Sequence, residues 1–315
     1  MSPNVSIRGI MTNRFPPSVV VSVIRLTRVS HWIKNIAVFA PVVFGGALFD
    51  PTSLYKASIA FLAISFLSSS HYVINDILDA SSDRLHPTKK FRPIAEGKLS
   101  VFQAWLVCIA NAAIGFWISS TLGGTFMVVA VAYSLLHYAL FFLFRNRRIF
   151  DIMALAIGYA LRLLAGEVAV GVHMSVWLTL TAFCLSLLFA IGKRRYDAYT
   201  KNTAQSGMMY TVKLLDTYLA MFATATIVSY AYFTFLTTFA SDVGDGGQLG
   251  LLSSRKWLMV TIPFVLYGIM RYLQRMYVIE QKESYQQLLL QDRPLLFSVI
   301  GWAVTVLIVI YGIGR

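Results

Sequence analysis

Residues 75–97, NDILDASSDRLHPTKKFRPIAEG, carry the densest charge in the chain. Asp76, Asp79 and Asp83 stand at i, i+3 and i+7. On a helix they fall within about 60° of one face. Carboxylates so placed repel one another, by roughly 1 kcal/mol for a close pair even in water. A bound divalent cation removes that repulsion, and Asn75 adds a neutral oxygen at the head of the group. Arg84, His86, Lys89, Lys90 and Arg92 follow at once. A lysine is a point charge for phosphate, and an arginine grips phosphate with two N–H groups. His86-Pro87 and Arg92-Pro93 favour extended or turning backbone, so the basic run reads as a loop. Acids that hold a cation, beside bases that hold phosphate, suggest a diphosphate site built on Mg2+ or Mn2+.

The rest of the chain reads as membrane. It is 57% apolar and only 13% charged, with a mean hydropathy of +0.66, where a soluble domain has roughly 25% charged residues. Long apolar runs alternate with short polar connectors and predict nine spans, near 29–49, 54–75, 100–120, 124–144, 150–170, 175–192, 212–238, 256–278 and 294–313. The first is the weakest, because Arg28, His31 and Lys34 crowd its start. The expected fold is all-α: a polytopic membrane protein with nine transmembrane helices around a cytoplasm-facing cavity. Residues 1–17 read as a flexible N-terminal tail, and 18–315 as a single transmembrane domain. Cys108 and Cys184 both fall in spans, without a CxxC, and indicate neither disulfide nor zinc.

Of the 27 Lys and Arg, 22 fall in the tail and alternate connectors, which places those on the cytoplasmic side. The N-terminus is then inside and, nine being odd, the C-terminus outside. The net charge of +13 follows from that asymmetry and from attraction to anionic lipid. Nucleic acid is not an expected partner, since the bases are scattered over short connectors.

Three further groups stand out. Asp151 opens the fifth span after Arg145, Arg147 and Arg148; it either satisfies a helix N-terminus or belongs to a site. Arg162 lies eleven residues on, inside the span, where a charge is functional by default. Glu167 is too far round the helix to be its ideal partner, so a substrate anion and a structural ion pair both stay open. RVSHWIKN (28–35) and KRRYD (193–197), with Lys34, Lys193 and Arg194, are either interfacial anchors or phosphate contacts.

These motifs together resemble the UbiA superfamily of intramembrane prenyltransferases. Within it, NDILDASSDRLHPTKKFRPIAEG is similar to the signature of the polyprenyl-phosphate phosphoribosyltransferases. HWIKNIAVFAP resembles that group's QWxKNxxVFAP, which brings in Asn35; GYALRLLAGEVA resembles GFxLRxxAGxxA, and GKRRYD resembles GKRxxE. The group's YSxxLKxxPxxD becomes LFFLFRNRRIFD (140–151), with Arg145 for Lys, Arg148 for Pro, and Asp151 kept. The resemblance implies a bacterial inner-membrane enzyme that moves 5-phosphoribose from phosphoribosyl pyrophosphate to a decaprenyl-like polyprenyl phosphate. Asp76 and Asp79 would be catalytic through a metal shared with Asn75 and Asp83. Lys34, Asn35, Arg84, His86, Lys89, Arg92, Arg145, Asp151, Arg162, Lys193 and Arg194 would hold substrate. Prenyl-diphosphate enzymes resemble one another in a second acidic cluster, DxxxD. Here Asp151 stands alone, with Arg147 four before it and Leu155 four after, which suits an extra phosphate better than a second metal. The alternatives are a prenyl-diphosphate transferase and, less fitting because the acids sit at one interface, a lipid transporter. A tag fused at Arg315 is expected to be open to external protease in intact cells, and one in the Lys89 loop protected; the reverse pattern would refute the orientation.

Overall fold

The computed structural model describes residues 19–85, 89–142, 148–200, 212–239, 254–278 and 292–312. Every element among the described residues is helical. The expected tail, 1–17, lies outside them, as do His86 and Arg145. In chain order the helices are α1 (Val19–Thr27), a 3-10 segment (Val29–Phe39), α2 (Ala40–Phe44), α3 (Pro51–Arg84), α4 (Val101–Thr121), α5 (Gly124–Phe142), α6 (Arg148–Val170), α7 (Val176–Thr200) and α8 (Val212–Phe239). A 3-10 turn (Ser254–Thr261) leads into α9 (Ile262–Val278), and α10 (Arg293–Leu307) ends in a π turn (Ile308–Gly312).

Among the described residues six segments, on α3, α4, α6, α7, α8 and α10 with its π turn, are long and apolar enough to cross a membrane, and the chain is an integral membrane protein. The other three expected spans fall on shorter or less regular elements. Residues 29–49 form no continuous α-helix: Pro41 lacks the N–H that would bond back to the Ala37 carbonyl, and α2 ends at Gly45. Residues 256–278 begin as 3-10 before α9, and of 124–144 the described residues, up to Phe142, form α5.

Asp50 caps α3 by accepting from the Ser53 N–H at 2.9 Å, with Pro51 in the first turn. The helix then runs for 34 residues, about 51 Å at 1.5 Å per residue. The expected span stopped at 75. The helix continues instead through Asp76, Asp79 and Asp83, which puts the three acids on one helical face.

The chain forms two compact units: the described residues up to Ile33 with Ser65–Phe116, and Lys34–Ile64 with Trp117–Arg315. In the first, α4 packs on α3 through small side chains. Ala104, Cys108, Asn111 and Gly115 recur at heptad spacing and are buried, and a Cβ on Gly115 would meet Leu67 Cγ at 2.8 Å. The opposite face of α4 exposes Phe102, Leu106 and Ile109. Lipid is as apolar as leucine, so close approach through small residues, not burial alone, joins such helices.

In the second unit α6, α7, α8 and α9 share a core in which Leu187, Leu188, Ile191, Leu215 and Leu219 are at most 1% exposed. Asp292 caps α10 and binds Arg271 and Arg275 of α9, tying those two helices together. On α6, Gly166 lies against the Val38 carbonyl so closely that any Cβ would overlap it. Gly166→Ala should therefore cost about 1–3 kcal/mol by overpacking. Gly124→Ala, where nothing lies within 4 Å, should change stability by no more than about 0.5 kcal/mol. Thermal unfolding in detergent checks the pair; equal melting temperatures would refute the tight seat of Val38.

Candidate active site

In the first unit two arginines are paired with two of the three acids of the face. Asp76 is 2% exposed. Its Oδ1 accepts from Arg28 Nη2 at 2.5 Å and from Arg92 Nη1 at 3.0 Å. The same Arg92 nitrogen donates to Asp83 Oδ2 at 2.6 Å. Asn75 Nδ2 donates to Asp79 Oδ2 at 3.1 Å, one turn along the helix. A buried carboxylate is tolerated only when paired, and removing one partner of such a pair costs about 3–5 kcal/mol.

Arg28 reaches Asp76 from an unusual backbone. Its φ is +50°, a left-handed conformation that costs a non-glycine residue roughly 1–2 kcal/mol. The turn is pinned to α3 on both sides: Ser69 Oγ donates to the Thr27 carbonyl at 2.9 Å and accepts from Trp32 Nε1 at 2.9 Å. Arg28 lies over the Tyr72 ring, 5.2 Å from its centre, and His31 meets the same ring edge-on.

The donor set fits a hard divalent cation. Three carboxylates and one amide oxygen share a helical face, and two of the carboxylates already converge on a single cationic nitrogen. Asp76 Oδ2 and Asp83 Oδ1 accept no hydrogen bond among the described residues, which leaves each an oxygen to offer. Among the described residues no three acidic, imidazole or thiol side chains form a ready-made metal nest; Arg28 and Arg92 stand where the positive charge would be.

In the second unit Arg162 is 6% exposed. Its Nε donates to Asn35 Oδ1 at 2.7 Å and its Nη2 to the Tyr133 hydroxyl at 2.7 Å. Its guanidinium lies 5.1 Å from the ring centres of both Tyr133 and Tyr159. Among the described residues no carboxylate reaches it, and Glu167 binds His173 instead, at 2.9 Å. The HWIKN and LRLLAG motifs, 127 residues apart at Asn35 and Arg162, thus meet. His137 Nδ1 donates to the Tyr133 carbonyl at 2.8 Å and its ring packs on Tyr133.

The other expected residues are more dispersed. Arg84 ends α3 and is exposed, as are Lys89 and Lys193; Lys34 and Arg194 are half-buried. Asp151 sits in the first turn of α6, with its side chain outside the described residues, where His86 and Arg145 also fall. In KRRYD it is Arg195 that is bound, to Asp216 at 2.5 Å and to the Met276 carbonyl at 2.7 Å, joining α7 to α8 and α9.

Sequence reasoning left Arg28 open between an interfacial anchor and a phosphate contact, without naming Asp76 as its partner, and passed over Tyr133 and Tyr159. For Tyr133 a signal was present. A Tyr-Ser pair stands at 133–134, seven residues before the position given to it, and seven residues is two helical turns on the same face. No pattern in the sequence marks the left-handed turn at Arg28.

Residues 37–291 match the UbiA prenyltransferase family. The decaprenyl-phosphate phosphoribosyltransferase of Corynebacterium glutamicum is 30% identical over 309 residues, which cover 94% of this chain and 89% of the relative. That of Mycolicibacterium smegmatis is 31% identical and covers 94% of each chain. A UbiA homologue from Archaeoglobus fulgidus, solved with GPP and Mg2+, matches with a TM-score of 0.68 over 92% of this chain and 99% of that one; at 20% identity the likeness speaks for the fold alone. With the acid face on α3, the Asn35–Arg162 pairing and a family match over most of the residues, the chain belongs to the UbiA prenyltransferase family.

Proposed function

We propose that this enzyme transfers 5-phosphoribose from phosphoribosyl pyrophosphate to a decaprenyl-like polyprenyl phosphate and releases diphosphate. One observation carries the reading: nearly the whole chain is similar to decaprenyl-phosphate phosphoribosyltransferases. The side chains agree with it. Arg162 is a buried cation with no described carboxylate on it, the state expected of a group whose counter-charge arrives with a ligand. Asp151, with only arginines before it, suits a phosphate-rich donor and acceptor.

In this reading the acceptor phosphate needs no general base, because its second pKa is about 6. Its oxygen bonds to the anomeric carbon as the bond from that carbon to diphosphate breaks, with inversion. Asn75, Asp76, Asp79 and Asp83 would hold Mg2+ or Mn2+, which would supply positive charge beside the departing diphosphate. Arg84, His86, Lys89 and Arg92 bind the donor's phosphates. Arg162, set by Asn35, Tyr133 and Tyr159, binds a further phosphate, and Lys34, Arg145, Asp151, Lys193 and Arg194 complete the substrate contacts. Nine spans in the bacterial inner membrane, with the N-terminus and acid face cytoplasmic and the C-terminus outside, agree with the distribution of Lys and Arg.

A prenyl-diphosphate transferase is the second reading, favoured by 36% identity over 80 residues to the digeranylgeranylglyceryl phosphate synthase of Saccharolobus solfataricus. Purified protein with Mg2+, polyprenyl phosphate and labelled phosphoribosyl pyrophosphate should yield labelled lipid. Label entering product only from a prenyl diphosphate would establish the second reading instead.

Two substitutions test the site. Asp79, half-buried and bonded to neutral Asn75, gives the cleaner variant: Asp79→Asn should abolish transfer while folded protein is retained. Asp76→Asn should lose folded protein as well, since it strips two arginines of a buried partner. Full transfer by Asp79→Asn, or by the wild type in excess chelator, would remove the metal from the reading. Arg162→Ala removes a charge-assisted contact worth roughly 1.5–3 kcal/mol. It should raise KM for one phosphorylated substrate about ten- to a hundredfold, at about 1.4 kcal/mol per decade. Unaltered kinetics would exclude Arg162 from the site.

A further inference from the structure

We propose that Arg28 is a diphosphate-binding residue that exchanges counter-ions: it holds Asp76 when the site is empty and passes to the ligand's phosphate when a metal–diphosphate complex takes Asp76. The inference rests on the metal–diphosphate reading of the acid face, and not on which group is transferred.

Four observations carry it. Two guanidinium groups share one oxygen of one carboxylate, Arg28 at 2.5 Å and Arg92 at 3.0 Å from Asp76 Oδ1. Asp76 is a ligand of the proposed cation, so a cation arriving there must compete with both. The residue that reaches Asp76 from α1 adopts a left-handed backbone at φ +50°, where glycine or asparagine fits more easily. An unfavourable conformation kept at a charged residue points to what its side chain does. The turn is also fixed independently of the ion pair, by Ser69 on the Thr27 carbonyl and on Trp32, and by Tyr72 beneath the guanidinium. Arg28 therefore stays in place when Asp76 leaves it, and an arginine already in place binds phosphate without first being ordered. Its side chain is 19% exposed, against 2% for Asp76, so the cation is open to a ligand while the acid is covered.

Charge decides the order of events. Arg28 and Arg92 with Asp76, Asp79 and Asp83 sum to −1, so a bare divalent ion would leave one uncompensated positive charge and would take Asp76 from both arginines in a covered place. The ion with its diphosphate brings the anions that the two arginines need. Metal alone should bind weakly, and metal with diphosphate strongly.

Opposite shifts in two binding constants are the test. Binding of Mn2+ alone is read by electron paramagnetic resonance, and binding of pyrophosphate in saturating Mn2+ by calorimetry, in detergent-solubilised protein. Arg28→Gly suits the left-handed backbone and leaves Arg92 on Asp76, so it should keep the fold. It should bind Mn2+ alone about tenfold more tightly than the wild type, because a competitor is gone. It should bind pyrophosphate about tenfold more weakly, because a phosphate ligand is gone. Arg28→Lys keeps the charge and should restore part of the pyrophosphate affinity. Unchanged pyrophosphate binding in Arg28→Gly, or Mn2+ binding that is unchanged or weaker, would make Arg28 a structural anchor only and overturn the proposal. Neither probe contains ribose or lipid, so a failure of phosphoribosyl transfer leaves both constants readable.

Discussion

A carboxylate with 2% of its surface exposed keeps its charge only if cations stand beside it, and this one constraint on Asp76 organises the first unit. The cations come from far apart in the sequence, Arg28 at the end of α1 and Arg92 in the loop after α3. To deliver Arg28, the chain accepts a left-handed turn and pins it with Ser69. To deliver Arg92, the loop doubles back at Pro93, closing with the Glu96 N–H on the Arg92 carbonyl at 2.8 Å. Arginine suits both places better than lysine. Its guanidinium is less strongly hydrated and offers several N–H groups in a plane, and a single Arg92 nitrogen serves two acids.

The second unit solves the opposite problem. Arg162 is a buried cation whose described partners are neutral: an amide oxygen, a hydroxyl and two aromatic faces. These lower the cost of burial, with cation–π contacts worth about 0.5–2 kcal/mol, but they do not cancel the charge. Gly166, one turn along α6, fixes the approach of the 34–44 segment that carries Asn35. A glycine and an arginine four residues apart therefore act together: the first sets how near the segment lies, and the second takes the amide that this nearness delivers.

How much of this was legible beforehand depended on the range of the interaction. The acid face was readable, since spacings of three and seven translate directly into helical geometry. So was the intramembrane charge at Arg162, because lipid makes any such residue conspicuous. Chain breaks were less so: Pro41 was visible in the sequence, but the 3-10 path before it arises from tertiary contact. The partners of the charges were not legible at all. Arg28 and Asp76 lie 48 residues apart, and Asn35 and Arg162 lie 127 apart; no local period links them. The work of Asp292 as a helix cap and as the acid for Arg271 and Arg275 likewise emerged only from packing.

The two charged groups thus differ in kind, and the difference has a chemical consequence. On the acid face Asp76 and Asp83 are already paired with Arg28 and Arg92, so a ligand must exchange charges there: a cation for the arginines, anions for the acids. Exchange favours a ligand that carries both signs, as a metal-bound diphosphate does. Arg162 has no acid on it among the described residues, and in the proposed reading an anion would bind it by addition. A phosphate monoester needs no metal for that. A donor with a diphosphate at one end and a phosphate at the other, and an acceptor that is itself a phosphate, together present both kinds of charge. A prenyl diphosphate joined to an uncharged acceptor presents only the first, and would leave the charge on Arg162 without a purpose.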